Sequence, residues 1–324
     1  MIEDPILQHD WLAVVPTRTL EQQHIIAARV LGEDIVIWRT TDGTVHAWKD
    51  LCIHRGTKLS LGEIRDGNRL MCPYHGWTYN TSGQCVHMPA HPNQTPPAKA
   101  MVTTYKVCVH MDFVWVCLGE PKHDLPPFPE WQDETYRRVL CGPYPFNASG
   151  PRIVENFLDV AHFPFVHENI LGVQERPEVP DYEITVDDGG ITAHDITIYQ
   201  PNPDGTGIAK EVRYTYQVFR PMVAYFRKET DGPGFAILLM VTPHEIVGSS
   251  AWMWMLMNHS YEKTEAELRT FQDEIALQDV PIVESQRPEL LPLDLQDELH
   301  LRSDRTAIAY RKWLNDMGLT FGTA

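Results

Sequence analysis

Two cysteine–histidine pairs constrain this chain more than anything else in it. Cys52-Ile53-His54 is followed, after 17 intervening residues, by Cys72-Pro73-Tyr74-His75. Two thiolates and two imidazoles on paired loops can hold one metal ion or a small cluster, so the fold must bring those loops together. Cys2His2 is an ordinary set for structural zinc, but zinc fingers carry both histidines on a helix, and here both pairs are flanked by strand-forming residues. The single residue between Cys52 and His54 is also tight for zinc. A 2Fe–2S cluster with cysteines on one iron and histidines on the other explains the mixed set better. Neutral imidazoles in place of two thiolates lift its potential to roughly −150 to +300 mV.

The surroundings of the pairs read as a β domain. Residues 24–30, 35–38, 45–48 and 107–118 are rich in β-branched and aromatic side chains, with a tight turn at Asp42-Gly43 and a bend near Met111-Asp112. Gly119, Pro121, Pro126, Pro127 and Pro129 form the clearest break. This sets a boundary near residue 125, with residues 1–125 as the cluster domain and 126–324 as a second domain. In the second, residues 152–162 read as a helix ending against Pro164. Strands are expected at 182–186, 191–199, 212–219, 236–241 and 251–257, and a long helix from 261 to about 286. The order is an α+β pattern. Cys85, Cys108, Cys117 and Cys141 are expected to act as small core residues.

A single-electron cluster does not need 324 residues; a lone carrier takes roughly 100. Charge narrows what the rest does. With 27 Lys+Arg against 44 Asp+Glu the net charge is −17, which repels phosphate backbones and anionic lipid, so neither nucleic acid nor membrane is expected as a partner. No apolar run approaches the roughly 20 residues of a membrane helix. Met1-Ile2-Glu3-Asp4-Pro5 lacks the basic start and apolar core of a leader, and six cysteines over this length do not make a disulfide scaffold. A reducing cytoplasm is the expected location.

The second domain offers its own metal ligands. In the stretch from Glu155 to His167, Asp159 and His162 lie three apart, so on a helix they share a face and the carboxylate can hydrogen-bond the imidazole. His167 follows five residues after His162, and Pro164 between them bends the chain, letting both imidazoles converge. Two histidines and one carboxylate with open positions form the non-haem Fe(II) set used for oxygen activation. The late helix supplies the carboxylate. Leu268, Phe271, Ile275 and Ile282 define its apolar stripe, Asp279 falls on that stripe, and Asp273 and Glu274 project elsewhere. A carboxylate on an apolar face is costly unless it is paired or binds a metal.

The motif at Cys52, His54, Cys72 and His75 resembles that of the Rieske family, without the two extra cysteines of respiratory members; Thr57 and Tyr74 occupy that neighbourhood. The pattern N-x-x-D-x-x-H-x(4)-H at Asn156, Asp159, His162 and His167, with a late Asp279, resembles the catalytic domain of Rieske non-haem iron oxygenases. The resemblance implies a Rieske β domain followed by a helix-grip, lipid-transfer-like domain, assembled as a homotrimer. It implies that His162, His167 and Asp279 hold the mononuclear iron. Asp159 then links a cluster histidine of one subunit to an iron histidine of its neighbour, and Asn156 is a polar residue near the iron. The short chain is most similar to the α-only demethylase and hydroxylase subgroup. That implies a terminal oxygenase component that takes O2 and receives NAD(P)H electrons through a ferredoxin or flavin reductase. It would hydroxylate or O- or N-demethylate a small aromatic, heterocyclic or alicyclic substrate. Ring cis-dihydroxylation is the alternative within the family, and an electron carrier fused to a ligand-binding domain the alternative outside it.

Two further expectations concern surfaces. Residues 1–120 carry 10 Lys+Arg and 12 Asp+Glu, whereas the remainder carries 17 and 32, so the cluster domain is nearly neutral within an acidic chain. Arg55, Lys58, Arg65 and Arg69 lie between the ligand pairs and are expected to meet an acidic electron donor. Tyr214, Tyr216, Trp252, Trp254 and Met255 are candidate pocket residues in the sheet.

Overall fold

β-branched and aromatic runs pair wherever a turn brings them back antiparallel, and both halves of this chain are built that way. The computed structural model describes residues 4–203, 206–229, 232 and 234–324, so Met1-Ile2-Glu3 of the opening segment lies outside it. Met1–Leu125 and Pro126–Ala324 form two separate units.

In the first unit six strands run in the order Leu12–Pro16, Phe113–Cys117, Thr104–His110, Val45–Lys49, Glu33–Arg39, Ile25–Val30. Trp38, Trp48 and Trp115 are fully buried in this unit. The run expected as one bent strand over 107–118 is a hairpin. Met111 and Asp112 both take positive φ, 50° and 53°, and Phe113 pairs back onto His110. Paired positive φ angles match the twist of a two-residue hairpin turn. Between Val45–Lys49 and Thr104–His110 the chain builds a second sheet, Glu63–Arg65, Arg69–Met71, Thr78–Tyr79 and Cys85–His87.

In the second unit seven antiparallel strands run in the order Arg137–Phe146, Gly248–Met257, Gly234–Glu245, Val223–Glu229, Lys210–Arg220, Gly190–Gln200, Glu183–Asp187. Helix Glu265–Ser285 packs against Arg137–Phe146. Arg137–Phe146 escapes a search for regular strands because it contains Gly142-Pro143. The register shift between Cys141 and Tyr144 absorbs that pair in an edge strand, where a missing N–H is tolerated. The unit is α+β, with its long helices after the sheet.

Three local expectations change. The helix expected at 152–162 spans Gly150–Leu158, and Asp159 at its end has extended angles (φ −87°, ψ 124°). Pro164 does not stop a helix but stands in the first turn of Phe163–Val166, where its missing N–H costs nothing. The long helix begins at Glu265 rather than 261 because Thr264 caps it: Glu267 N–H donates to Thr264 Oγ1 at 3.2 Å, and Glu267 Oε2 accepts from Thr264 N–H at 2.8 Å.

Candidate metal centres and the cavity

Two loops of one design carry the cysteine–histidine pairs. In each, the cysteine N–H donates to the carbonyl five residues on, Cys52 to Thr57 at 2.8 Å and Cys72 to Trp77 at 2.9 Å. A glycine N–H, Gly56 or Gly76, donates back to the cysteine carbonyl. Both glycines sit at positive φ, +74° and +71°, and a Cβ at Gly76 would meet Pro89 at 2.8 Å. The loops sink the thiols into the core, Cys52 and Cys72 being 2% and 1% exposed, and leave the imidazoles toward the surface. The His54 and His75 rings lie 4.5 Å apart, and Trp77 stacks on His54 at 4.4 Å. Tyr79 Oη sits 3.1 Å from Cys52 Sγ. Burial pushes the Cys72 thiol up, reinforced by Cys52 beside it. His54 Nδ1 is buried with no hydrogen-bond partner. Two adjoining buried sulfurs and an inward imidazole nitrogen without a partner fit a 2Fe–2S cluster with mixed ligation.

The second centre forms where the Gly150–Leu158 helix breaks. Asp159 Oδ1 accepts from Ala161 N–H at 2.7 Å, and its Oδ2 lies 3.2 Å from His162 Nδ1. This contact crosses the turn between two helices rather than running along one helix face, which corrects the geometry expected from spacing. His167, 1% exposed, is braced by Gln278, whose Oε1 lies 2.7 Å from His167 Nδ1. Both Nδ1 atoms therefore face acceptors and carry the protons, which leaves both Nε2 atoms as lone-pair donors. Those two atoms face each other at 3.2 Å. Asp279 Oδ1 lies 3.2 Å from His167 Nε2 and 3.5 Å from His162 Nε2, and is itself buried without a hydrogen bond. With the protons on Nδ1, two ring nitrogens and one carboxylate oxygen turn lone pairs toward one point. This set fits one divalent ion with two nitrogens and one oxygen.

Asp279 reaches this site from helix Glu265–Ser285, but not along the stripe that periodicity suggested. The buried residues of that helix are Leu268, Gln272, Ile275, Ala276 and Val283, whereas Phe271 and Ile282 are about half exposed. Asp273 does not project away either: Tyr144 Oη–H donates to its Oδ1 at 2.6 Å. Glu274 is exposed. Gln278 carries no motif signal beyond standing next to Asp279.

A cavity of about 420 Å³ opens beside the three ligand residues, and Asn156 lines it. Its walls are aromatic and sulfur-rich, with Tyr214, Tyr216 and Phe226 on neighbouring strands and Met253, Met255 and Met257 at alternate positions of one strand. Among the expected pocket residues, Tyr214, Tyr216 and Met255 line it. Trp252 and Trp254 do not, because strand alternation turns them to the other face, where Trp254 meets Trp131 edge-on at 5.0 Å.

Of the four basic residues expected around the cluster loops, Arg55 is exposed and the other three have acidic neighbours. Lys58 pairs with Asp34 at 3.3 Å, Arg69 with Asp66 at 3.2 Å, and Arg65 with Glu63. Among these charges the loops also expose apolar side chains: Ile53, Leu61 and Tyr74 are 49%, 69% and 64% exposed. The four cysteines outside the motif, Cys85, Cys108, Cys117 and Cys141, form no disulfide, and burial raises Cys108 and Cys117 to about 11 and Cys141 to about 12.

Residues 10–106 match the Rieske [2Fe-2S] domain, and residues 146–319 match the vanillate O-demethylase oxygenase C-terminal domain. A methylxanthine N1-demethylase of Pseudomonas putida is 30% identical over 97% of this chain and 90% of its own length. The solved structure of a mutant of that enzyme with caffeine superposes with a TM-score of 0.84 at 28% identity, covering 96% of this chain and 91% of the other. Dicamba monooxygenase bound to dicamba shares the fold at 21% identity, with a TM-score of 0.78, covering 96% and 97%.

Proposed function

This chain belongs to the Rieske oxygenases that carry a vanillate O-demethylase-type catalytic domain, and from that membership we propose that it removes a methyl group from nitrogen on a small, planar heteroaromatic substrate. It is an oxidoreductase, the terminal oxygenase component of a multicomponent monooxygenase, and its electrons come from NAD(P)H through a reductase. Cys52, His54, Cys72 and His75 would hold the Rieske cluster, and His162, His167 and Asp279 the iron. Bound there, the cluster delivers electrons singly and the iron activates O2.

This chain's own residues set the rest. Asp159 and Gln278 hold the Nδ1 protons of His162 and His167, so both rings present lone pairs to the metal. Asp159 is also our candidate for passing an electron from the cluster of a neighbouring subunit in a homotrimer. The aromatic walls hold a flat ring and exclude water, with Asn156 as a polar wall residue. In the balanced reaction an N-methyl group, O2, two electrons and two protons give an N-hydroxymethyl group and water. This hemiaminal then releases formaldehyde as the C–N bond breaks, and the ring nitrogen takes up the hydroxyl proton. No helix among the described residues is long and apolar enough to cross a membrane, and the free thiols support a reducing cytoplasm.

The observation that carries this reading is the convergence of three lone-pair atoms at 3.2–3.5 Å on the wall of an aromatic cavity. The test is turnover of N-methyl and methoxy heteroarenes by reconstituted holoenzyme with reductase. One formaldehyde per O2 from N-methyl substrates is expected. A cis-diol holding both oxygen atoms of one O2 would overturn it.

A further inference from the structure

The cavity is longer than a ring held at the iron requires, and two of its walls measure it. Helix Glu265–Ser285 faces it through Glu267, Phe271, Ile275 and Asp279, so this wall runs about 18 Å from Glu267 to the candidate iron ligand. Along strand Gly248–Met257, Met253, Met255 and Met257 face the same space. The outer ends of the two walls meet. Arg137, in register with Met257, donates to the carbonyls of Ser260 and Lys263, both at 2.8 Å. Gln272 marks the middle, where its Nε2 donates to Met253 Sδ at 3.4 Å. From Gln272 to Asp279 the helix advances about 10 Å, which accommodates one methyl-bearing ring beside the iron. Outward from Gln272 about 8 Å of wall remains before Glu267.

That outer part is apolar. Met255, Met257, Leu268 and Phe271 line it, with Phe235 in register beside Met257. Apart from the metal ligands, the lysine and glutamate side chains among the described lining residues stand at the outer end. They are Lys263, Glu267 and Lys228, the last in register with Phe235. Lys228 gives its ammonium to Pro203 O at 2.5 Å, and Glu267 accepts from Thr264. Lys263, Glu267 and Phe271 are exposed, so this end opens to solvent. A passage that only admitted polar solutes would gain nothing from a methionine row, because apolar surface left wet is unfavourable. Flexible, polarizable thioethers instead mould to an apolar chain of varying shape. We propose that the substrate carries an apolar arm, alkyl or aryl, that runs outward from the ring along Met253, Met255 and Met257, so that the enzyme takes an extended N-methyl heteroarene in preference to a bare ring. The assignment rests on the proposed heteroaromatic N-demethylation and adds the arm to it.

The test is a series of probes that differ only in the arm. Caffeine and N-methylbenzimidazole are each used bare and with a propyl or hexyl arm on the ring end away from an N-methyl group. Binding to anaerobic holoenzyme is measured by calorimetry and stopped flow, with no turnover. Kd should fall about two- to fourfold per methylene of the arm, the upper figure matching about 0.8 kcal/mol for full burial. Met257→Asp and Phe271→Asp place a carboxylate in the outer part, the second at a half-exposed helix position that tolerates it. In each variant that keeps the cluster spectrum, the gain per methylene should drop toward one. A Kd independent of the arm in wild type overturns the extended substrate and leaves N-demethylation standing. So does an association rate that changes with the arm while Kd stays constant, which marks an entry route only. A gain that survives in both variants overturns the placement of the arm. Binding of no probe, bare or armed, overturns the heteroaromatic reading and this assignment with it.

Discussion

A single hydrogen bond decides much at each centre. Tyr79 Oη is 3.1 Å from Cys52 Sγ, and burial keeps the phenol protonated, so the hydroxyl donates to sulfur. That bond is stronger to the more negative, reduced cluster, so it raises the potential. Tyr79→Phe should keep the cluster and lower its midpoint potential by about 50 mV, close to the 59 mV of a tenfold change in a one-electron equilibrium. An unchanged potential in a redox titration would refute the donor role. At the second centre the two imidazoles are braced by different chemistry, His162 by the carboxylate of Asp159 and His167 by the amide of Gln278. Gln278→Leu should weaken Fe(II) binding by about 10- to 100-fold, because nothing then fixes the ring. Asp159→Asn keeps an acceptor of the same shape. It should retain iron yet reoxidise reduced cluster at least about tenfold more slowly when substrate and O2 are present. Matched iron loss in both variants would mean that Asp159 only holds the ring.

Two helices carry these residues, and each is fixed by its own packing. Helix Glu265–Ser285 offers two inward carboxylates with different partners. Asp279 faces the histidines without a hydrogen bond, whereas Asp273 is taken by Tyr144. Asp279→Ala should lose the mononuclear iron while Asp273→Ala keeps it, as read by iron analysis of protein purified without oxygen. Stoichiometric iron in Asp279→Ala would show that another group completes the site. Helix Gly150–Leu158, whose end releases Asp159, is tied down by a buried ion network. Arg311 meets Glu155 at 2.5 Å and Glu298 at 2.5 Å, and Arg152 meets Glu298 at 2.7 Å, with both arginines 2% exposed. Arg311→Met leaves two carboxylates sharing one arginine. It should destabilise the second unit by about 3–5 kcal/mol in denaturant unfolding, because an uncompensated buried charge costs that much. A loss below about 1 kcal/mol would show that water reaches the network.

At the scale of the whole molecule the chain joins an electron relay to an oxidation chamber, and the metal count states that division most directly. Each chain should hold three irons, two in the cluster and one at the histidine–aspartate site. Chelation should remove the single iron first, since His162 and Asp279 keep 13% and 14% of their side-chain surface exposed while the cluster sulfurs are sunk in the core. Zinc at the cysteine pairs, or two irons with the cluster full, would overturn the two-centre reading. Around the cluster loops Lys58, Arg65 and Arg69 have acidic neighbours, Arg55 is exposed, and Ile53, Leu61 and Tyr74 add exposed apolar surface. Lys58→Glu should lower donor-coupled turnover and leave peroxide-driven turnover unchanged, and equal loss in both would mean that it only supports the cluster domain.

The sequence by itself determined the features that are local. Cys52 and His54, Cys72 and His75, and His162 and His167 lie within five residues of their partners, so spacing alone brings each pair to one loop or turn. What tertiary structure decided is everything that must cross the chain. Asp279 and Gln278 reach the histidines from more than a hundred residues away, and Asp273, set aside by the stripe as pointing elsewhere, is instead inward and held by Tyr144 from an edge strand whose Gly142-Pro143 hid it from pattern reading. Periodicity tells which side chains share a face, but a lone pair or a proton gains its meaning from what is packed against it, and that is settled only when distant elements close around the cavity.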